Sequence, residues 1–427
     1  MIKKIIVVLT LFVSVISSAQ KNNASAYSFF GIGDKNNTNT VEQISMGSIG
    51  VSLNDEFRLN LSNPASLSSL KFTTYSLAIE NKNIWAKEGA DTQHGATTYL
   101  SYLAMGVPLG ENAGLSFGLL PNSSVGYSLT SNIYNTGSEL TEISLYNGEG
   151  GTNKVFLGFG IQVFKGFSIG FQGNYIFGKI ENSITNQLKD VSLGSKYETL
   201  SSLKGFSLDG GVQYKTELNK NLNLHFGANF DLENDLNTED EEYIYSVSLV
   251  SGEIPRDTIL NKKSEGVLKS PLKTSLGVGV GKDNKWFAGL DYSFQDALNP
   301  QGSIFNNYSK IKYNKYSKIS IGGFYTPKFT SITSYWERVT YRAGVKLEKT
   351  GLMVDALGNG SDFTAIDDFG ISFGVGLPVS NQLSNLNLGF EFGKRGKIDK
   401  GLVQENYLNF RLSFSLNDKW FKKREIF

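Results

Sequence analysis

The stretch Leu408-Asn409-Phe410-Arg411-Leu412-Ser413-Phe414-Ser415-Leu416 alternates a large apolar residue with a polar one at every step. Successive side chains of a strand point to opposite faces, so this run has one oily face and one wet face. The pattern recurs in Leu222/Leu224/Phe226/Ala228/Phe230 against Asn223/His225/Gly227/Asn229. It recurs again in Trp286/Ala288/Leu290/Tyr292/Phe294 against Phe287/Gly289/Asp291/Ser293, in Val339/Tyr341/Ala343/Val345/Leu347 and in Leu386/Leu388/Phe390/Phe392. From residue 71 onward it predicts fourteen strands: 71–80, 98–107, 113–127, 153–163, 166–178, 205–215, 221–232, 271–281, 285–294, 314–326, 336–347, 367–377, 384–393 and 405–416. Several reach the ~10 residues that a tilted strand needs to cross a bilayer.

The connectors sort by length. Those after odd-numbered strands are long: 81–97, 128–152, 179–204, 233–270, 295–313, 348–366 and 394–404. Those after even-numbered strands are mostly tight, as in Pro108 to Asn112, Lys165 and Lys282 to Asn284. Long connections at one rim and short turns at the other are the habit of an outer-membrane barrel, the long side facing outward. A secreted β-sandwich with one solvated side would also alternate, but nothing would sort its connectors. Aromatic residues near strand ends (Tyr99, Tyr102, Tyr127, Tyr214, Trp286, Tyr325, Tyr341, Trp420) suit interfacial girdles. The expected fold is all-β: a transmembrane barrel of about fourteen antiparallel strands.

Composition narrows the function. The 427 residues carry 41 Lys+Arg against 40 Asp+Glu, no Cys and two His, His94 and His225. A balanced charge excludes the broad basic field of a nucleic-acid binder. Without Cys there are no disulfides, thiolate metal sites or thiol chemistry, and two His leave little for a metal centre or catalytic relay. No serine–histidine–acid spacing, phosphate loop or metal-ligand cluster occurs, so neither an enzyme nor a cofactor is expected. The N-terminus reads Met1-Ile2-Lys3-Lys4, an apolar run Ile5 to Ile16, then Ser17-Ser18-Ala19, the form of a secretory signal cut after Ala19. No later run approaches the ~18 apolar residues of a helical span, so membrane residence requires a barrel.

Between signal and first strand the chain carries Tyr27-Ser28-Phe29-Phe30-Gly31-Ile32-Gly33-Asp34, Met46-Gly47-Ser48-Ile49-Gly50 and Leu61-Ser62-Asn63-Pro64-Ala65. A Gly-rich segment ending in an Asn-Pro-Ala turn before the first strand resembles the N-terminal hatch of the FadL/TodX family of hydrophobic-compound transporters. The ending Asn406 to Leu416, then Asn417-Asp418-Lys419-Trp420-Phe421-Lys422-Lys423-Arg424, resembles that of FadL-like proteins from Bacteroidetes. The resemblance implies a fourteen-stranded barrel plugged by the hatch. The chain then divides into signal 1–19, hatch 20–70, barrel 71–416 and a periplasmic tail 417–427, the tail being a departure from the family.

Residues Phe117 to Gly126 of the third strand contain Pro121 and Asn122. Proline cannot donate to a ladder, so a bulge or break is expected there. In the family the third strand is kinked to open a side window. The resemblance implies that Pro121 and Asn122 mark such a window, a lateral exit for ligand; the alternative is an ordinary bulge or a strand that stops early.

With the apolar parity facing lipid, Asp209, His225, Asp291, Arg342, Lys346, Glu391 and Arg411 face the lumen, most of them in one layer near mid-barrel, Glu391 and Arg411 as cross-strand neighbours. Such charges are expected to pair. Either they form a network that docks the hatch, or Arg342, Lys346, Arg411 and His225 receive an anionic ligand group. Lumen-facing Gly211, Gly227, Gly289, Gly344 and Gly389 leave room for a hatch. The acidic run Glu239-Asp240-Glu241-Glu242 is read as a solvated part of the longest outward loop. Lys422-Lys423-Arg424 beside Trp420 and Phe421 is read as an anchor at the periplasmic interface.

Two functions fit. The family resemblance implies passive uptake of hydrophobic compounds, with outer-membrane lipid and a hydrophobic small molecule as partners. The polar lumen parity, which shows no greasy channel, fits instead a non-transporting subunit of an outer-membrane machine, of type 9 secretion or barrel assembly, with protein partners in the outer membrane or periplasm.

Overall fold

The computed structural model describes residues 23–134, 139–219, 222–248, 254–301, 310–356, 358–379 and 384–418. The expected signal peptide and the cluster from Trp420 to Arg424 lie outside them.

Fourteen antiparallel strands form one closed barrel. They are β1 (Thr73–Glu88), β2 (Asp91–Pro108), β3 (Ala113–Tyr134), β4 (Leu140–Phe164), β5 (Phe167–Leu188) and β6 (Leu193–Asn219). The next four are each made of two segments in line: β7 (Leu222–Asp231 and Asn234–Ser248), β8 (Ile254–Ser270 and Lys273–Lys282), β9 (Trp286–Gln295 and Asn299–Gln301) and β10 (Ile311–Tyr313 and Tyr316–Tyr325). Single strands β11 (Thr340–Val354), β12 (Thr364–Val379), β13 (Ser384–Arg395) and β14 (Gln404–Asp418) complete the wall. Closure is direct: β14 pairs with β1 from Gln404↔Lys87 to Asp418↔Thr73.

The outer surface decides between barrel and sandwich. Phe206 is 74% exposed and Phe171 65%, and Leu157, Ile321, Leu347, Phe373 and Phe392 stand out beside them. A sandwich would cover these rows with a second sheet. A closed wall carrying them is a membrane-spanning β-barrel.

The expected long loops are largely strand. Residues 233–270 form a hairpin, Asn234–Ser248 against Ile254–Ser270, and β4, β5 and β6 run to 25, 22 and 27 residues. At ~3.3 Å per residue β6 is roughly 90 Å long, far beyond the ~25 Å apolar band. The sheet from β3 to β8 thus rises well past the membrane layer. There the run Glu239 to Glu242 is strand, not loop: Asp240 and Glu242 are buried, while Glu239 pairs with Lys204 and Glu241 with Lys263.

Residues 23–70 lie inside the barrel. A short helix, α1 (Val41–Ile44), is closed by a capping box in which Thr40 accepts from the Gln43 amide and the Gln43 side chain accepts from the Thr40 amide. A 3₁₀ turn, Pro64–Ser69, starts at Asn63, whose side chain accepts from the Ala65 amide. Val41, Ile44, Met46, Ile49 and Leu67 of this segment are among the most buried side chains of the chain.

Candidate functional site: the occupied lumen and the seam

The inner segment is wound round the inside of the wall nearer the short turns, touching most strands in sequence. Helix α1 docks where Val41 donates its amide to the Tyr102 hydroxyl (3.2 Å), and where Glu42 Oε1 accepts from Asn387 (2.8 Å) and Ser415 (2.9 Å). Gly47 N–H then donates to Ser372 Oγ (2.8 Å), and the amides of Gly50 and Val51 donate to one oxygen of Asp291 (2.7 and 3.0 Å). Asn63 Nδ2 donates to the carbonyls of Val51, Val212 and Ala228. Ser68 finally meets Ser168 at 2.7 Å.

Glycines on the wall make this close approach possible. A Cβ on Gly344 would lie 2.1 Å from the Met46 carbonyl carbon, one on Gly227 2.1 Å from Val51 O, and one on Gly211 2.0 Å from Asn63 Oδ1. Gly389 faces Ser45 and Val41 across the same interface. Gly289 does not: its missing side chain leaves space for Phe287.

A ladder of ion pairs crosses the lumen beside the inner segment. Glu80–Arg411 (2.7 Å), Arg411–Glu391 (2.7 Å), Glu391–Lys346 (2.8 Å) and Lys346–Asp368 (3.3 Å) run in an unbroken chain, and the Tyr407 hydroxyl donates to Asp368 (2.7 Å). Three of the five charged groups, Glu80, Glu391 and Arg411, are buried, Lys346 and Asp368 are partly so, and each charge in the ladder has an opposite partner, the condition on which buried charges persist.

The expected lumen residues divide into separate groups rather than one layer. Lys346, Glu391 and Arg411 meet in the ladder. Glu391 and Arg411 are diagonal rather than directly opposite, since Glu391 is in register with Asn409 and Arg411 with Gly389. Asp291 holds the inner segment. Asp209 stands on the far wall, accepting from Gln172 (3.1 Å) and Asn174 (3.0 Å). Arg342 is buried close to the inner segment, with one bond to Asn387 (3.2 Å) beside Glu42, Asp55 and Arg58 around a void of about 10 Å³. His225 is packed edge-on against Phe287 at 5.4 Å. Glu80 and Asp368 were absent from the expected set, although Ile79 and Phe369 on the lipid parity place both of them inward.

Above the ladder lies a cavity of about 450 Å³. Lys346, Glu391, Arg411, Asp209 and Asp291 line its polar wall, whereas Arg342 and His225 do not reach it. Its other wall is apolar, which the strand parity did not lead one to expect. Ile32, Ile176, Leu236, Leu268 and Leu298 line it there, backed by Val125, Tyr127, Ile180 and Leu203 in one packed cluster.

The wall itself is incompletely paired at one place. β2 and β3 are in register only from Leu103↔Leu119 to Pro108↔Gly114, next to their short turn. Above Leu119 their ladder stops, and the register of β3 with β4 shifts between Pro121 and Ser123. Residues 23–36 fill this seam. Asp34 and Lys35 pair with Ser124 and Ser123 as an added strand, Asn36 N–H donates to Asn122 O (3.0 Å), and Asn23 donates to Ser124 O (3.1 Å). Gly95 of β2 and Gly126 of β3 would strike Ala24 and Asn23 if they carried side chains. The filling is pinned by Arg395–Asp34 (2.8 Å) and by Glu405, which accepts from the Ala26 amide (2.8 Å) and Ser25 Oγ. Burial alone would raise the Asp34 carboxyl, but Arg395 more than offsets it and holds the group below the usual carboxylate range.

A closed fourteen-strand wall with an N-terminal segment held inside it and a register shift in its third strand defines a transmembrane β-barrel with an occupied lumen. Solved structures agree on the fold: the Pseudomonas putida toluene transporter TodX (14% identity, TM-score 0.57, 88% of this chain and 98% of that one) and the Ralstonia pickettii toluene transporter TbuX (12%, 0.56, 92% and 99%). A Pseudomonas aeruginosa FadL homologue is similar at 10% identity and TM-score 0.55, over 90% of this chain and 98% of its own. A search of curated proteins finds no match. The BamG family model matches residues 1–426, and the chain belongs to the BamG family.

Proposed function

We propose that this chain is an outer-membrane barrel whose interior is sealed, and that it serves as an accessory subunit of a larger outer-membrane machine of the barrel-assembly kind. One observation carries the proposal: the inner segment is held to the wall by many buried hydrogen bonds, and the lumen cations Lys346 and Arg411 are already paired, leaving neither free for a ligand carboxylate. In this reading residues 20–70 are a structural plug, the partners are lipid and protein, and the family name BamG favours barrel assembly over type 9 secretion.

The apolar wall of the cavity favours a second reading, passive uptake of hydrophobic compounds; TodX and TbuX, which share the fold, are toluene transporters. Ligand would then be held against Ile176, Leu236 and Leu268 and leave sideways past Pro121 and Asn122 once residues 23–36 withdrew. Neither reading requires catalysis or a cofactor.

Purification from native membranes in mild detergent separates the two. Co-purification of the same proteins in fixed stoichiometry is expected. A monomer with an apolar molecule in the cavity would overturn the subunit reading in favour of uptake.

A further inference from the structure

Where the β3–β8 sheet outgrows the membrane layer it ends, among the described residues, in two unpaired edges, and the two are built differently. On the β8 side, among the described residues, Ile254 to Gly266 pairs only with β7, and β9 reaches β8 no higher than Val267. This edge carries Pro255, register shifts between Pro255 and Thr258 and between Thr258 and Leu260, and the exposed cations Lys262 and Lys263. Proline, bulges and lysine are the devices by which an edge is kept from pairing with another chain.

On the β3 side, Tyr127 to Tyr134 reads Tyr-Ser-Leu-Thr-Ser-Asn-Ile-Tyr, with no charge, no proline and no register shift before Ile133. It is rich in residues that suit strands. Its backbone groups alternate in direction. Ser124 O and Gly126 N–H both point into the seam, since they bond Asn23 and Ser28, so Ser128, Thr130 and Asn132 present their N–H and C=O there as well. All three are in register with β4 on their other side, but among the described residues no strand pairs with them on the seam side. Lower down, the same edge already takes an added strand at Ser123 and Ser124.

We infer that the edge Tyr127–Tyr134 is a docking site for strand addition by a partner polypeptide at the outer rim, continuing the ladder that Asp34 and Lys35 begin. The occupant is an extended, uncharged segment. Its apolar residues alternate so as to lie beside Leu129 and Ile133 on the cavity side, and its polar ones beside Ser128, Thr130 and Asn132 on the outer side. The inference deepens the subunit reading by giving the partner a place and a secondary structure.

The test uses the full chain in native membranes, with a photoreactive residue placed in turn at Ser128, Thr130, Asn132 and, as a control, Asn261 on the β8 edge. Expected are cross-links from the first three to one polypeptide, the contacted residue moving two places along it for each two-residue step on β3, and none from Asn261. Thr130→Pro deletes an N–H that β4 does not use, so the barrel should fold as judged by heat-modifiable migration, while cross-linking from Ser128 and Asn132 falls about tenfold. Absence of a polypeptide cross-link, cross-links to lipid alone, contacts out of register, or indifference to Thr130→Pro would each overturn the docking site. Whether a stoichiometric assembly still purifies then tells whether the subunit reading falls with it.

Discussion

Replacing Asp291 tests directly how firmly the lumen is sealed. Its carboxylate is 3% exposed and accepts two amides of the inner segment, from Gly50 and Val51, with no ion pair among the described residues. Asp291→Ala leaves two buried N–H groups without an acceptor. At about 1–3 kcal/mol each, less what one entering water recovers, the docked state should lose about 3 kcal/mol. That is roughly a 150-fold rise in the population of the undocked segment. Asp291→Asn keeps an oxygen in place and loses only the charge, so about 1 kcal/mol and a several-fold rise are expected. Because the chain has no cysteine, Ser52→Cys beside the contact supplies a single thiol, and its maleimide labelling in the purified barrel scales with the undocked fraction. The expected order of rates is Asp below Asn below Ala, with heat-modifiable migration of the barrel unchanged. Equal rates for Asp291 and Asp291→Ala, or Asn labelling faster than Ala, would refute the tether.

Three further outcomes follow from the same geometry. Arg411→Leu strips Glu80 of its cation and should lower barrel stability by about 3–5 kcal/mol, seen as a lower unfolding temperature, with Glu80→Gln recovering part of it; no loss would mean the ladder is not stabilising as a unit. Gly344→Val places side-chain carbon on the backbone of Met46 and Gly47, where no rotamer relieves it, so a Ser48→Cys reporter should label rapidly in a barrel that still forms; wild-type protection would show that the segment has slack. Asp34 has a lowered carboxyl pKa, so its contribution is present above the ordinary value near ~4 and is lost as pH falls through the folded-state value. Hydrogen exchange of residues 23–36, corrected for intrinsic rates, should therefore rise on acidification below about pH 4, and Asp34→Asn should flatten that dependence.

What the sequence revealed follows the bilayer. Between Leu408 and Leu416, or Leu222 and Phe230, one face meets hydrocarbon and the other the lumen, so the alternation is forced and each strand can be read. Parity also placed Lys346, Glu391 and Arg411 inward, and it would have placed Glu80 and Asp368 with them. It failed where the constraint ends. Residues 254–263 of β8 are exposed on both faces, so no alternation marks them as strand, and they looked like loop. Parity gives a face and no height, which is why His225 and Arg342 were grouped with residues they do not meet. The apolar wall of the cavity was hidden for a related reason. Leu203, Leu236 and Leu268 lie beyond the membrane layer, where the oily side of the sheet turns inward. The path of residues 23–70 has no period at all, and only its turn residues were visible.

The seam joins these features. Opening a closed barrel between two strands leaves backbone donors and acceptors unsatisfied on both edges, a cost that hydrocarbon would magnify. Here the outward apolar row on β3, Leu115, Phe117 and Leu119, ends where the ladder with β2 ends, and beyond it the outward residues are Ser128, Thr130 and Asn132. The gap therefore begins at the border of the oily band rather than within it, where water and added strands can satisfy the edges. Residues 23–36 satisfy the lower part, and Arg395 and Glu405 fix them there. A passage for apolar solutes into the bilayer gains nothing from an outlet bordered by hydroxyls and amides and closed by its own chain. A site for β-strand addition needs that border: wet enough to receive a polar backbone, rigid enough to keep the register, and next to an edge already begun.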